Sequence, residues 1–130
     1  MAEYLPVFIP GQAVTLKASA AITGGQLVAV TGSGTVGPAG ANATSWVGVA
    51  AFDAATNDNV TIYSGGVQSV TASGSVTAGD VVVPAASGAV STLAAVTTPT
   101  AADVTNTRAV VGVALTTATN GNKVRVAFDR

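Results

Sequence analysis

The sequence predicts an all-β fold: a small barrel or sandwich built from two tandem copies of one β motif, with an extended N-terminal arm. Three observations support this. Valine and threonine, whose branched side chains favour strands, are abundant in the 130 residues. Turn residues, including fifteen glycines and five prolines, separate short apolar segments. Most informatively, the second half of the chain repeats the first.

The arm comprises residues 1–12. Pro6 and Pro10 exclude a helix and favour an extended segment. The arm nevertheless holds a large share of the bulky apolar residues of the chain. Such a segment either covers the barrel of its own subunit or adds to the sheet edge of another chain, and the residues alone leave both interpretations open. The candidate partner-binding residues are Tyr4, Leu5, Val7, Phe8 and Ile9.

The two copies comprise residues 13–66 and 67–130. At a shift of 54, the segment KASAAITGGQLVAV from Lys17 aligns with TASGSVTAGDVVVP from Thr71. At a shift of 64, WVGVA at Trp46–Ala50 aligns with VVGVA at Val110–Ala114. The difference, 64 − 54 = 10, indicates that the second copy carries ten extra residues, within an insertion at residues 91–109.

Each copy is expected to form five short strands. The predicted strands are 13–19, 26–31, 35–37, 46–52 and 59–64, and then 67–73, 80–84, 89–93, 109–115 and 123–128. Because five short strands are marginal alone, the two copies are expected to pack face to face as one β domain over residues 13–130. In the insertion, Thr98-Pro99 followed by TAAD predicts one short helical turn with Pro99 at its first position.

The composition argues against an enzyme. The chain has neither histidine nor cysteine, which excludes Ser–His–Asp and Cys–His catalysis and removes the usual zinc ligands. Its six acidic residues are scattered. Asp53 and Asp58 lack the spacing of a calcium loop and are interpreted as turn formers. No metal or cofactor is therefore expected.

Two further features have a structural interpretation. The string GSGTVG at residues 32–37 has the form G-x-G-x-x-G, but the following PAGANATS cannot start the helix that a dinucleotide site needs. It is interpreted as a turn. Trp46 is expected to pack in the core, with its counterpart Val110 also pointing inward.

The charge pattern limits the possible partners. The net charge is −1 and no basic patch is present, so direct binding to nucleic acid is not expected. No apolar run approaches the roughly 20 residues of a membrane helix, and no secretory signal is recognised, so the chain is expected to be made in the cytoplasm. A net charge near zero suits a protein that functions in an assembly.

The order of the repeated motifs resembles that of the head-decoration, or capsid cement, proteins of tailed bacteriophages. The motifs are ASAAITGGQLV at Ala18–Val28, WVGVA at Trp46–Ala50 and NDNVTIY at Asn57–Tyr63, repeated as SVTAGDVV, VVGVA and NGNKVRV. The resemblance implies a homotrimeric β-barrel-like subunit that binds the outer capsid surface of the virion and stabilises the shell. The implied partners are the major capsid protein and sister subunits.

The alternative is a non-catalytic carbohydrate- or surface-binding β module of a phage tail or extracellular assembly. Such modules usually present aromatic side chains on which ligands stack. With three Phe, two Tyr and one Trp, the chain has few residues for that purpose. The structural virion protein is therefore the favoured interpretation.

Overall fold

The computed structural model describes residues 13–130, and the predicted N-terminal arm lies outside them. The first copy contains strands β1 to β5, and the second copy contains strands β6 to β10. Their bounds are Val14–Ala18, Leu27–Gly32, Thr35–Pro38, Trp46–Ala50 and Asn59–Tyr63, and then Val67–Thr71, Val81–Pro84, Val90–Thr92, Gly112–Ala114 and Lys123–Phe128. Each of these strands falls at a position where the repeat predicts one, and the all-β fold class is confirmed.

The first copy closes into a barrel with the strand order β1-β3-β2-β4-β5. Neighbouring strands are antiparallel except β1 and β3, which pair in parallel at Lys17–Thr35 and Ala18–Val36. The segment 32–37 comprises the last residue of β2, the turn at residues 33–34 and the first three residues of β3, with Gly34 at a φ of 72°. The turn interpretation of the G-x-G-x-x-G string is therefore confirmed.

The second copy repeats this topology as a sheet with the order β6-β10-β9-β7-β8. Its two edge strands meet at one parallel bridge, Ala72–Val90, the equivalent of Ala18–Val36. Turn hydrogen bonds recur as well. Gly25 N donates to Ala50 O at 2.8 Å and Gly79 N donates to Ala114 O at 2.7 Å. The duplication seen in the sequence is thus a duplication of backbone pairing.

The interiors of the two copies are also equivalent. The first interior consists of Ala18, Ile22, Val28, Val36, Ala50, Ala54, Val60 and Ile62. Shifts of 54 or 64 place these on the buried residues Ala72, Val76, Val82, Val90, Ala114, Ala118, Val124 and Val126. Small β-branched side chains and alanines fill both interiors, because a five-stranded barrel has little internal space.

The two copies share one continuous core. Five buried residues of the first copy belong to the same apolar cluster as the interior of the second copy: Leu27, Ala29, Ala39, Trp46 and Val49. These residues do not belong to the interior cluster of their own barrel. The first copy therefore packs one of its outer faces against the second. The division of the chain into an arm and a single β domain remains a prediction.

The insertion forms the short helix α1, Ala101–Asn106, followed by a 3-10 turn at Thr107–Ala109. The predicted position of Pro99 is wrong by two residues, because Thr100 is the N-cap and Ala101 the first helical residue. Thr100 and Asp103 form a capping box: Thr100 N donates to the Asp103 carboxylate at 2.7 Å, and Asp103 N donates to Thr100 Oγ1 at 3.4 Å. This pair starts the helix after the proline.

Trp46 is fully buried, as predicted. Its ring meets Phe128 edge-on, with 5.6 Å between ring centroids, and the Arg130 guanidinium lies 4.2 Å from the ring centre. Arg130 also donates to Trp46 O at 3.1 Å, which fixes the guanidinium over the indole. The counterpart of Trp46 differs from expectation. Val110 is only half-buried, and Val111 is the fully buried residue because it lies in the apolar cluster that the two copies share.

Candidate interaction surfaces

An apolar row crosses the outer face of the second copy. The cross-strand pairs Val81–Val113, Val113–Ala127 and Ala127–Val67 place four small apolar side chains side by side on β7, β9, β10 and β6. Val81, Val113 and Val67 are 39%, 40% and 58% exposed. With strands about 4.8 Å apart, the row extends roughly 15 Å. We call Val67, Val81, Val113 and Ala127 the outer row.

The first copy has an equivalent row, but its centre is buried. Leu27 pairs with Val49, and Val49 with Tyr63, in the same register as their counterparts in the second copy. Leu27 and Val49 are buried in the cluster that includes the second copy, whereas Tyr63 is exposed. The same surface is therefore an interface in one copy and open in the other.

A second apolar surface lies at one end of the first barrel. Val14, Leu16, Val47, Ile62 and Ser64 line a cavity of about 100 Å³ at the end where β1 begins and β5 ends. Leu16 and Val47 are half-buried and pack on the barrel interior. We call this the barrel-end cavity.

The equivalent end of the second copy is covered by the first. Val70 and Val111, which correspond to Leu16 and Val47, are fully buried. Phe128, which corresponds to Ser64, packs against Trp46 of the first copy. An outer face of the first copy therefore covers this end of the second copy. The prediction that the two copies pack face to face is wrong, because the apolar outer face around Trp46 is buried against the end of the second copy instead.

Hydrogen bonds connect the two copies at this contact. Gly88 N donates to Ala39 O at 2.9 Å, and Gln26 Nε2 donates to Ser87 O at 3.0 Å. Gly88 has a φ of +71°, and a Cβ there would lie 2.8 Å from Leu27 O. Glycine is thus required both for the backbone conformation and for the close approach of the two copies.

The insertion carries a third apolar feature. A groove of about 270 Å³ lies between α1 and the segment that precedes it, with exposed Val96 and Val104 on its walls. Its lining residues are Leu93, Ala94, Val96, Pro99, Asp103, Val104 and Thr107. Asp103 serves the capping box, so the groove offers apolar contact rather than a set of converging polar groups.

Within residues 13–130, no group of three or more His, Cys, Asp or Glu side chains comes together that could hold a metal ion. Asp53 Oδ1 accepts a hydrogen bond from Gly24 N at 2.7 Å and so stabilises a turn. In the same part of the chain, no helix has the length and hydropathy to span a membrane.

The sequence-predicted partner-binding residues Tyr4, Leu5, Val7, Phe8 and Ile9 lie outside the described residues, and their role stays a prediction. Sequence reasoning missed the outer row and the barrel-end cavity. One signal was present: Val81-Val82-Val83 is apolar on both faces of its strand, whereas a strand with one face in water alternates.

A closed five-stranded barrel followed by a five-stranded sheet of the same strand order, with apolar outer surfaces, places the chain among the all-β structural proteins. The chain matches the model of the phage cement protein family over residues 9–129. It belongs to that family, and it is accordingly a phage structural protein of the virion, associated with the capsid.

A solved structure supports the fold. The N base of the head fiber gp8.5 in bacteriophage phi29 is similar with a TM-score of 0.64 and 20% sequence identity. The alignment covers 91% of this chain and 93% of that one, so the likeness includes both copies of the motif. No curated protein matches the chain.

Proposed function

We propose that this protein is a cement protein that binds the outer surface of a phage capsid and stabilises the shell. The observation that carries the proposal is the family match, which extends over residues 9–129 and therefore includes both copies. The physical character of the chain agrees with this role. A cement protein needs shape and many small contacts, and the described surfaces are apolar strands rather than clustered reactive groups.

We further propose that the protein is not an enzyme and that its partners are the major capsid protein and sister subunits in a homotrimer. Without histidine or cysteine, general acid–base work would fall to isolated carboxylates. A net charge of −1 provides little mutual repulsion between chains. Symmetric oligomers multiply weak contacts through effective concentration, which is what a surface-bound cement requires.

The arm is proposed to contribute to these contacts. Its candidate residues Tyr4, Leu5, Val7, Phe8 and Ile9 are too apolar to favour exposure to water. Pro6 and Pro10 restrict the backbone and reduce the entropy lost when the segment docks. We therefore assign the arm to a contact with another chain, either a sister subunit or the capsid protein.

The test uses heads of the phage that encodes this chain. The heads are prepared from a mutant phage in which the gene for the chain is deleted. Added protein should cosediment with these heads, saturate at a number of copies set by capsid symmetry, appear on the outside of the shell by cryo-electron microscopy and raise the temperature of head disruption. Absence of saturable binding at micromolar protein contradicts the proposal. Binding to cell-surface polysaccharide instead of heads would favour the alternative binding module.

A further inference from the structure

We propose that the outer row of one chain covers the barrel-end cavity of the next chain, in a head-to-tail contact that repeats the internal contact between the two copies. The occupant of each surface is thus a second copy of this chain. The inference deepens the proposed function and rests on it only for the number of chains, which we take as three.

The first argument compares the covering face in the two copies. Leu27 and Val49 are 0% and 5% exposed because they lie against the second copy, whereas their equivalents Val81 and Val113 are 39% and 40% exposed. Both pairs have the same antiparallel register, so the two faces present their side chains in the same arrangement. A sheet face that is exposed to water usually carries polar residues at such positions.

The second argument compares the covered end. In the second copy, Val70 and Val111 are fully buried, and Pro84 is buried as well. Their equivalents Leu16 and Val47 are half-buried, and Val30, the equivalent of Pro84, is 44% exposed. Within residues 13–130, the internal interface thus leaves one face and one end of the motif uncovered. These two surfaces correspond to the face and the end that contact each other inside the chain.

The insertion fits the same contact. In the first copy the loop after β3 reaches the second copy, where Asn42 N donates to Pro84 O at 2.9 Å. In the second copy the insertion follows β8 at the equivalent place. By the same relation it extends towards Val30 of the next chain. Its exposed Val96 and Val104 then meet an apolar partner rather than water.

A contact between two different surfaces either closes a ring or grows a filament. Three chains contain six copies of the motif, and each copy would then cover the barrel end of the next around a ring with approximate sixfold symmetry. Every outer face and every barrel end is filled in such a ring, which explains why both remain apolar in the single chain.

Disulfide trapping tests the contact directly, because the chain has no cysteine of its own. Leu27 lies beside Ser87 and Gly88, since its carbonyl oxygen is 2.8 Å from the position of a Cβ on Gly88. The equivalent intermolecular neighbours are Val81 of one chain and Ser33 of the next. A tagged chain with Val81→Cys and an untagged chain with Ser33→Cys are produced separately, mixed, and oxidised both free and bound to heads.

We expect the mixed disulfide dimer to form in larger amount than either symmetric dimer in at least one of the two conditions. Absence of the mixed product in both conditions, or dominance of the Val81→Cys homodimer, overturns it. If the heads bind no protein but the mixed product forms in solution, the proposed function fails while the head-to-tail contact stands.

A charged substitution provides the second measurement. Val113→Asp should weaken self-association about tenfold or more in sedimentation experiments, because it places a carboxylate in an apolar contact. Phe52→Asp is the matched control: Phe52 is 49% exposed and follows the opposite end of β4 from the cavity. Circular dichroism verifies that each variant is folded, and Val113→Ser replaces Val113→Asp if the latter unfolds. Equal association of the Val113 variant and the control contradicts the proposal.

Discussion

At the scale of single residues, two glycines make the strand packing possible. Gly48 in β4 and Gly112 in β9 occupy equivalent positions, as their alignment at a shift of 64 predicts. A Cβ on Gly48 would lie 2.3 Å from Tyr63 O, and a Cβ on Gly112 would lie 1.8 Å from Ala127 O. No side chain fits at either position, because the neighbouring strand crosses too closely.

Gly112→Ala should therefore destabilise the protein by about 3 kcal/mol, at the upper end of the usual cost of overpacking, since the obstructing atom is backbone. Chemical denaturation at a fixed protein concentration measures the free energy of unfolding. Gly40→Ala is the matched control, because a Cβ there meets nothing within 4 Å and the φ of Gly40 is not in the left-handed region. Equal stability of the two variants would show that β9 and β10 can separate without cost.

At the scale of elements, the motif is maintained by the same hydrogen bonds in both copies although many side chains differ. Ile22 pairs with Ala54, and Val76 with Ala118, as isolated antiparallel bridges between loops. Ser19 N and Ser73 N donate to Val36 O and Val90 O at 2.8 and 2.7 Å. Because backbone pairing does not depend on the particular side chains, the two copies keep the same strand arrangement although their sequence identity is limited.

The arm is the element that the sequence singled out and that lies outside the described residues. Deletion of residues 2–10 should leave the β domain folded but strongly weaken assembly or binding to heads, because it removes Tyr4, Leu5, Val7, Phe8 and Ile9. Circular dichroism and head cosedimentation are the measurements. An unfolded deletion variant would instead assign the arm to its own core, and unchanged folding and binding would give it no role.

At the scale of the whole molecule, the shared core links the stability of the two copies. The apolar cluster that contains Trp46 and Val49 of the first copy also contains the interior of the second copy. Opening one barrel therefore exposes apolar surface of the other. We expect a single cooperative unfolding transition, as for one β domain over residues 13–130.

The same geometry predicts unequal effects of one substitution at equivalent positions. Val49→Ala should cost about 2 kcal/mol of unfolding free energy because Val49 is buried between the copies. Val113→Ala should cost about 0.5 kcal/mol or less in the dissociated chain, where Val113 is exposed. Calorimetry on dilute protein measures both variants, and the ratio of calorimetric to van't Hoff enthalpy tests the single transition. Similar losses would mean that the interface between copies contributes little.

The sequence by itself determined the strand class, the positions of all the described strands, the duplication and the burial of Trp46. These follow from local properties, namely β-branched composition, turn residues and a repeat that aligns residue by residue. The sequence also located the insertion helix but misplaced Pro99, because the competing capping box of Thr100 and Asp103 depends on side-chain geometry.

The tertiary structure decided which apolar surfaces are filled. Leu27 and Val81 are equivalent in sequence, yet Leu27 is buried because it lies against the second copy, whereas Val81 is exposed because no further copy covers it within residues 13–130. Local pattern cannot distinguish these positions, since the distinction depends on which copy lies against which. For the same reason, the outer row and the barrel-end cavity can be recognised as uncovered surfaces only in the tertiary structure.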